Sequence, residues 1–156
     1  MAPGEPPLRL AVKRLPHAFL PPEIPLPTLA TPGAAGFDLQ AAVTDDVVVA
    51  VGARVRVPTG LTLAVPLGHE GQVRPRSGRA WNEGLTVLNA PGTVDSDYRG
   101  EVQVLLVNLG QGPVTIRRGE RIAQLVVCPV PRVEVVEVES LDTTVRGAGG
   151  FGHTGA

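Results

Sequence analysis

Aromatic residues are scarce: three Phe, one Trp and one Tyr in 156 residues. A core nearly without rings must be built from Val, Leu, Ile and Ala, and each remaining ring then calls for a reason. Cysteine is scarcer still. Cys128 stands alone in the apolar run LVVCPV, which excludes an internal disulfide and reads as a small buried hydrophobe rather than a reactive thiol. The three histidines, His17, His69 and His153, are scattered, so no zinc-ligand spacing arises. A formal net charge of -1 gives no global attraction to nucleic acid or to a membrane surface. Any anionic partner must be gripped by a local cluster. No apolar run reaches bilayer-spanning length, and residues 1–20 lack the continuous apolar stretch of a signal peptide, so a cytoplasmic protein is expected. No glycine precedes a Lys-Ser/Thr pair and no G-x-S-x-G occurs, which excludes a P-loop and a nucleophile elbow. Gly147, Gly149 and Gly152 do fit G-x-G-x-x-G. Yet only four residues follow Gly152, so neither the helix nor the ribose-binding acid of a dinucleotide site has room.

Glycine and proline are abundant, at 19 and 16 residues, and are interleaved with short valine-rich runs. Strand-length segments ended by Gly or Pro recur along the chain: LRLAVKR, FDLQAAV, DDVVVAVG, ARVRVPTG, LTLAVPLG, HEGQVR, GLTVLN, EVQVLLVN, PVTIRR and RIAQLVV. A single short helical turn fits RAWNEG. The stretch RVEVVEVES (132–140) alternates with a slip at Val135–Val136, which predicts a strand with a bulge or with two buried faces. The proline-studded segment from His17 onward predicts neither helix nor central strand, and HAFLPPEIP (17–25) reads as a surface loop. This pattern predicts one all-β domain over 1–140, of sandwich or barrel type, followed by an irregular tail over 141–156.

Five polar or glycine-rich islands interrupt the apolar framework. In GQVRPRSGRA, Arg74, Arg76 and Arg79 surround Ser77 and Gly78, either as a solvated basic loop or as a cradle for phosphate oxygens. In NAPGTVDSDYRG, Asp95 and Asp97 either shape an Asx-type turn or activate water beside a bound triphosphate. Tyr98, the only tyrosine, lies beside these acids, where an exposed ring suits stacking on a ligand. Asp38 occupies a glycine-rich strand entry. Gln124 falls inside an apolar strand, where burial demands partners from main chain or from a ligand.

In this order the islands GAAGFDLQA (33–41), RPRSG (74–78), GLTVLNAPGTVDSDYRG (84–100), RRGERIAQLVV (117–127) and RGAGGFGHTG (146–155) resemble the five motifs of the homotrimeric dUTP diphosphatase (dUTPase) family. The resemblance implies a distorted jelly-roll fold, a trimer with three shared sites, and Mg²⁺-dependent hydrolysis of dUTP to dUMP and pyrophosphate. Such an activity keeps uracil out of DNA and supplies dUMP for dTMP synthesis. It further implies that Asp95 is the general base and that Asp38 supports Mg²⁺ through water. Arg76, Ser77, Gly78 and Gln124 then contact phosphates, Asn89 with the main chain at Gly92 and Val94 reads uracil, and Tyr98 packs under the deoxyribose. The tail becomes a lid in which Phe151 stacks on the base, Arg146 reaches phosphates and Gly152 brings an amide close. Two departures from the family pattern stand out: His153 takes the place of the family's serine, which predicts pH-sensitive lid closure, and the proline-rich HAFLPPEIP (17–25) is an insertion. The related dCTP deaminases carry a glutamate on the strand after the hairpin, whereas VQVLLVN (102–108) has no acid. A binding module or a ligand-free β-sandwich would leave Asp95, Arg76, Ser77 and Tyr98 unexplained.

Overall fold

The computed structural model describes residues 8–150. Ten strands form in chain order: β1 (Ala11–Arg14), β2 (Phe37–Gln40), β3 (Val47–Val49), β4 (Arg54–Ala64), β5 (His69–Arg74), β6 (Leu85–Val87), β7 (Gly92–Val94), β8 (Glu101–Asn108), β9 (Val114–Ile116) and β10 (Arg121–Pro129). Two four-stranded sheets, β1-β4-β8-β6 and β2-β10-β5-β7, and a small β3-β9 pair are antiparallel throughout. This is the expected all-β, jelly-roll-like architecture.

Alternation places the core. Along β8, Val102, Val104 and Leu106 point inward while Gln103 and Leu105 point out. They meet Val57 and Leu61 of β4 and, from the second sheet, Leu39, Val73 and Leu125, in a single cluster with no aromatic ring among its fully buried members. Asn108 ends β8 fully buried. Its Nδ2 donates to Val49 O at 2.9 Å and Gly112 O at 2.8 Å, and its Oδ1 accepts from Gly110 N–H at 2.9 Å. A buried amide satisfied on both ends fixes the β8–β9 turn without the cost of an unpaired polar group.

Five sequence expectations are corrected. ARVRVPTG and LTLAVPLG are one strand, β4, whose register against β8 shifts between Pro58 and Thr62. Proline lacks the ladder donor and Gly60 takes φ +70°, so the chain bulges there and continues rather than turning back. RVEVVEVES forms no strand. Val133, Val135, Val136 and Val138 are all exposed, Val135 at 93%. Alternation alone does not make a strand; a ladder partner is needed, and among the described residues none pairs with it. The proline-rich segment does contain a helical turn, a 3₁₀ helix at Pro16–Phe19 with Pro16 at its first position. Nor is 17–25 merely a surface loop: Ala18 and Ile24 are buried with Ala42 in a second small core. Arg118 holds it down, donating to the carbonyls of His17 (2.7 Å), Leu20 (2.9 Å), Pro22 (2.9 Å) and Val43 (3.2 Å). Finally, Cys128 is half-buried, with Arg74 Nη2 at 3.7 Å from its Sγ, rather than sealed in the core.

Candidate active site

The RPRSG island sits where β5 gives way to the chain's one described α-helix, α1 (Ser77–Glu83). Arg76 is its extended N-cap residue, and Gly84 closes it in the left-handed conformation. Next to this turn, β10 lies between β2 and β5, so Gln124 is cross-strand partner of Asp38 on one side and Arg74 on the other. Three islands distant in sequence thereby meet at one sheet end. Arg76 Nε lies 3.0 Å from Asp38 Oδ1 and Arg121 Nη1 3.2 Å from Asp38 Oδ2. Gln124 Nε2 donates to Pro75 O at 2.9 Å, which answers the demand for a partner and holds the turn before Arg76. Gly36 is required by close approach: a Cβ there would run into the Gln124 side-chain amide. The result is a basin of about 490 Å³ lined by Gly36, Asp38, Arg76, Ser77, Gly78 and Gln124. Two guanidinium groups, a hydroxyl and an amide converge there, a donor set suited to phosphate oxygens.

The NAPGTVDSDYRG island lies elsewhere. β7 pairs with β5 through Gly71–Val94 and Val73–Gly92, which buries Gly92 and Val94 and leaves their main chain to line a slot. Asp95 follows as the hairpin turns, with Tyr98 N–H donating to Asp95 O at 3.2 Å. Tyr98 is 44% exposed, and its hydroxyl donates to Glu101 O at 3.0 Å, which pins the ring at the hairpin base. Asn89, Gly92, Val94, Asp95, Tyr98 and Glu101 surround a second cavity of about 340 Å³.

The two cavities share no lining residue. The chain thus presents two distinct cavities, an arginine-lined basin at the end of β10 and a slot beside the β7 hairpin. Arg146 adjoins neither; its Nε donates to Gly149 O at 2.8 Å. Phe151, Gly152 and His153 lie outside the described residues. Sequence reasoning missed Arg121 and Glu101. The register shift between Arg121 and Ala123 brings Arg121 onto Asp38, and no local pattern reveals such a shift. Glu101 reads as an ordinary strand-start acid until the fold sets it against the slot.

A comparison with family models matches the dUTPase family over residues 22–155. The chain belongs to the dUTPase family. It is 57% identical over 152 residues to the deoxyuridine 5'-triphosphate nucleotidohydrolase of Methylocella silvestris, covering 96% of this chain and 93% of that protein. The Aquifex aeolicus protein of the same name is 62% identical over 146 residues, covering 94% and 95%. The fold matches Staphylococcus bacteriophage 80alpha dUTPase solved with dUpNHpp, at a TM-score of 0.82 and 25% identity over 95% of this chain and 99% of that one. This dUTPase is accordingly an enzyme, a nucleotide hydrolase acting on dUTP.

Among the described residues no cluster of three His, Cys, Asp or Glu side chains could hold a metal ion. The single carboxylate of Asp38, with its side chain 22% exposed at the basin, fits an ion such as Mg²⁺ that keeps several waters and takes its remaining ligands from a triphosphate. Asp38 is the acid beside the phosphate basin that would meet such a hydrated ion. No helix among the described residues is long and apolar enough to cross a membrane.

Proposed function

We propose that this dUTPase cleaves dUTP at the α-phosphorus, with each site assembled from more than one copy in a homotrimer. The separation of the two cavities carries this reading. The basin of Arg76, Ser77 and Gln124 fits the triphosphate and the slot of Asn89, Asp95 and Tyr98 fits deoxyuridine, but neither is a complete site. A neighbouring copy's hairpin set against the basin brings them together.

In the assembled site Asp95 accepts a proton from a water whose oxygen bonds to the α-phosphorus. The bond from that phosphorus to the α,β-bridging oxygen breaks, and dUMP and pyrophosphate leave. Arg76, Ser77, Gly78 and Gln124 hold the phosphates in line, and positioning of this kind supplies much of phosphoryl-transfer catalysis. Asp38 would meet the water shell of an Mg²⁺ ion carried by the triphosphate, and such an ion would supply charge neutralisation at the phosphates. Arg76 exchanges Asp38 for phosphate oxygen as substrate binds, which frees that carboxylate. Asn89 and the main chain at Gly92 and Val94 read the uracil edge, and an unpaired polar group on the wrong base penalises it. Tyr98 closes the space a 2′-hydroxyl would need. Residues 1–140 make the catalytic domain, and 141–156 form the arm that closes a neighbouring site, with Arg146 on phosphate, Phe151 on the base and the Gly152 amide close by. The setting is the cytoplasm, where the reaction keeps uracil out of DNA and supplies dUMP.

The test incubates the protein and Mg²⁺ with dUTP, dCTP, dTTP or UTP and follows pyrophosphate and base identity. Pyrophosphate release is expected from dUTP alone, falling about 10²–10⁴-fold in Asp95→Asn. Uracil product from dCTP, or full activity in Asp95→Asn, would overturn the reading.

A further inference from the structure

Glu101, which the sequence does not single out, joins three parts of the molecule. Its Oε1 lies 2.9 Å from His17 Nε2 and accepts from Gly60 N–H at 2.7 Å. Its Oε2 accepts from Gln103 Nε2 at 3.3 Å. Its own carbonyl accepts from the Tyr98 hydroxyl at 3.0 Å. Its side chain is only 17% exposed and borders the slot that holds Asp95 and Tyr98. A carboxylate accepts only, so the imidazole donates through Nε2–H whether neutral or charged.

His17 belongs to the proline-rich insertion, yet it is not free to wander. Its carbonyl accepts from Arg118, and the next residue, Ala18, is fully buried against the bulge at Gly60. The imidazole is therefore held from behind while its tip grips Glu101 in front. From this geometry we infer that His17 is a positioning residue for the nucleotide hairpin, acting through Glu101 to fix the Tyr98 ring and with it the choice between deoxyribose and ribose. This rests on the dUTPase reading of the slot and assigns the insertion a part in sugar specificity. The charge-assisted bonds fix the carboxylate, the carboxylate fixes the first residue of β8, and that residue's carbonyl fixes the phenol. Without His17, the Glu101 side chain keeps Gly60 and Gln103 but loses the contact on the insertion side, and the hairpin base gains freedom.

The experiment measures kcat/KM for dUTP and UTP in wild type, His17→Ala and His17→Gln, with the ring resonances of ¹³C-labelled tyrosine recorded for each. Tyr98 is the only tyrosine, so its signals need no assignment. His17→Ala is expected to lower the dUTP-to-UTP preference about five- to tenfold and to shift the Tyr98 resonances. His17→Gln, whose amide N–H can still donate to Glu101, is expected to restore both. A wild type with no preference for dUTP would overturn the reading of the slot together with this inference. A wild type that prefers dUTP, with His17→Ala losing only thermal stability while preference and resonances stay unchanged, would overturn the tether alone.

Discussion

Asp38 illustrates how much a single carboxylate can be asked to do. Arg76 and Arg121 both face it across 3.0 and 3.2 Å, and its side chain is still 22% exposed. Paired guanidinium groups held by one acid are preorganised yet displaceable, since partly solvated ion pairs are worth little. A triphosphate offers them more charge and bidentate oxygens. His153 raises a different residue-scale question, since it puts an imidazole where the family resemblance expects a hydroxyl. An imidazolium attracts phosphate and a neutral ring does not, and an unperturbed imidazole changes charge near neutrality. Nucleotide should therefore bind more tightly at pH 6 than at pH 8 in wild type, with the difference reduced in His153→Ser. Titration calorimetry at both values checks this; the same pH difference in the two proteins would sink it.

At the scale of elements, β4 decides the most. Its bulge lets one eleven-residue strand pair with β8 on both sides of Pro58–Thr62, and it offers Gly60 N–H to Glu101. Gly60 also gives up the space that Ala18 fills: a Cβ there would lie 2.8 Å from Ala18 Cβ and 3.2 Å from Ala42 Cβ. Gly60→Ala should cost about 2–4 kcal/mol, from the left-handed backbone and from overpacking together. Thermal melts at matched protein concentration would show it, and an unchanged midpoint would mean that the insertion packs more loosely than its buried alanine implies. The helix α1 works through its ends. Arg79, nearly buried, bridges Glu83 at 2.7 Å and Glu120 at 3.1 Å, tying the phosphate turn to the β9–β10 connection.

For the whole molecule, the proposed division into half-sites would make activity a property of the assembly. The exposed valines of 132–140 fit the same picture, since a run with apolar side chains on both faces gains by burial against other copies. A direct consequence concerns mixed trimers. Asp95→Asn leaves the basin intact and Arg76→Ala leaves the slot intact, so co-expression of the two inactive variants should restore about one quarter of the wild-type sites by random mixing. Each variant alone should stay inactive. A mixture as inactive as its components would place both halves of the site in one chain.

The sequence by itself determined the all-β class, because short β-branched runs ended by Gly and Pro leave room for no more than a turn or two of helix. It also singled out candidate positions: Asp38, Arg76, Ser77, Asp95, Tyr98 and Gln124 stand in islands whose composition breaks the apolar framework, and the family resemblance adds Asn89. Only the tertiary structure decided which of them meet. Asp38, Arg76 and Gln124 converge because β10 lies between β2 and β5, while Asp95 and Tyr98 fall on a different surface. It likewise decided that β4 continues through Gly60 and that 132–140, equally strand-like in pattern, pairs with no strand among the described residues. The partners Arg121 and Glu101 were hidden for the same reason. Local pattern records what a segment can form, whereas ladder hydrogen bonds, register shifts and ion pairs are made with segments tens of residues away, and those partners settle the outcome.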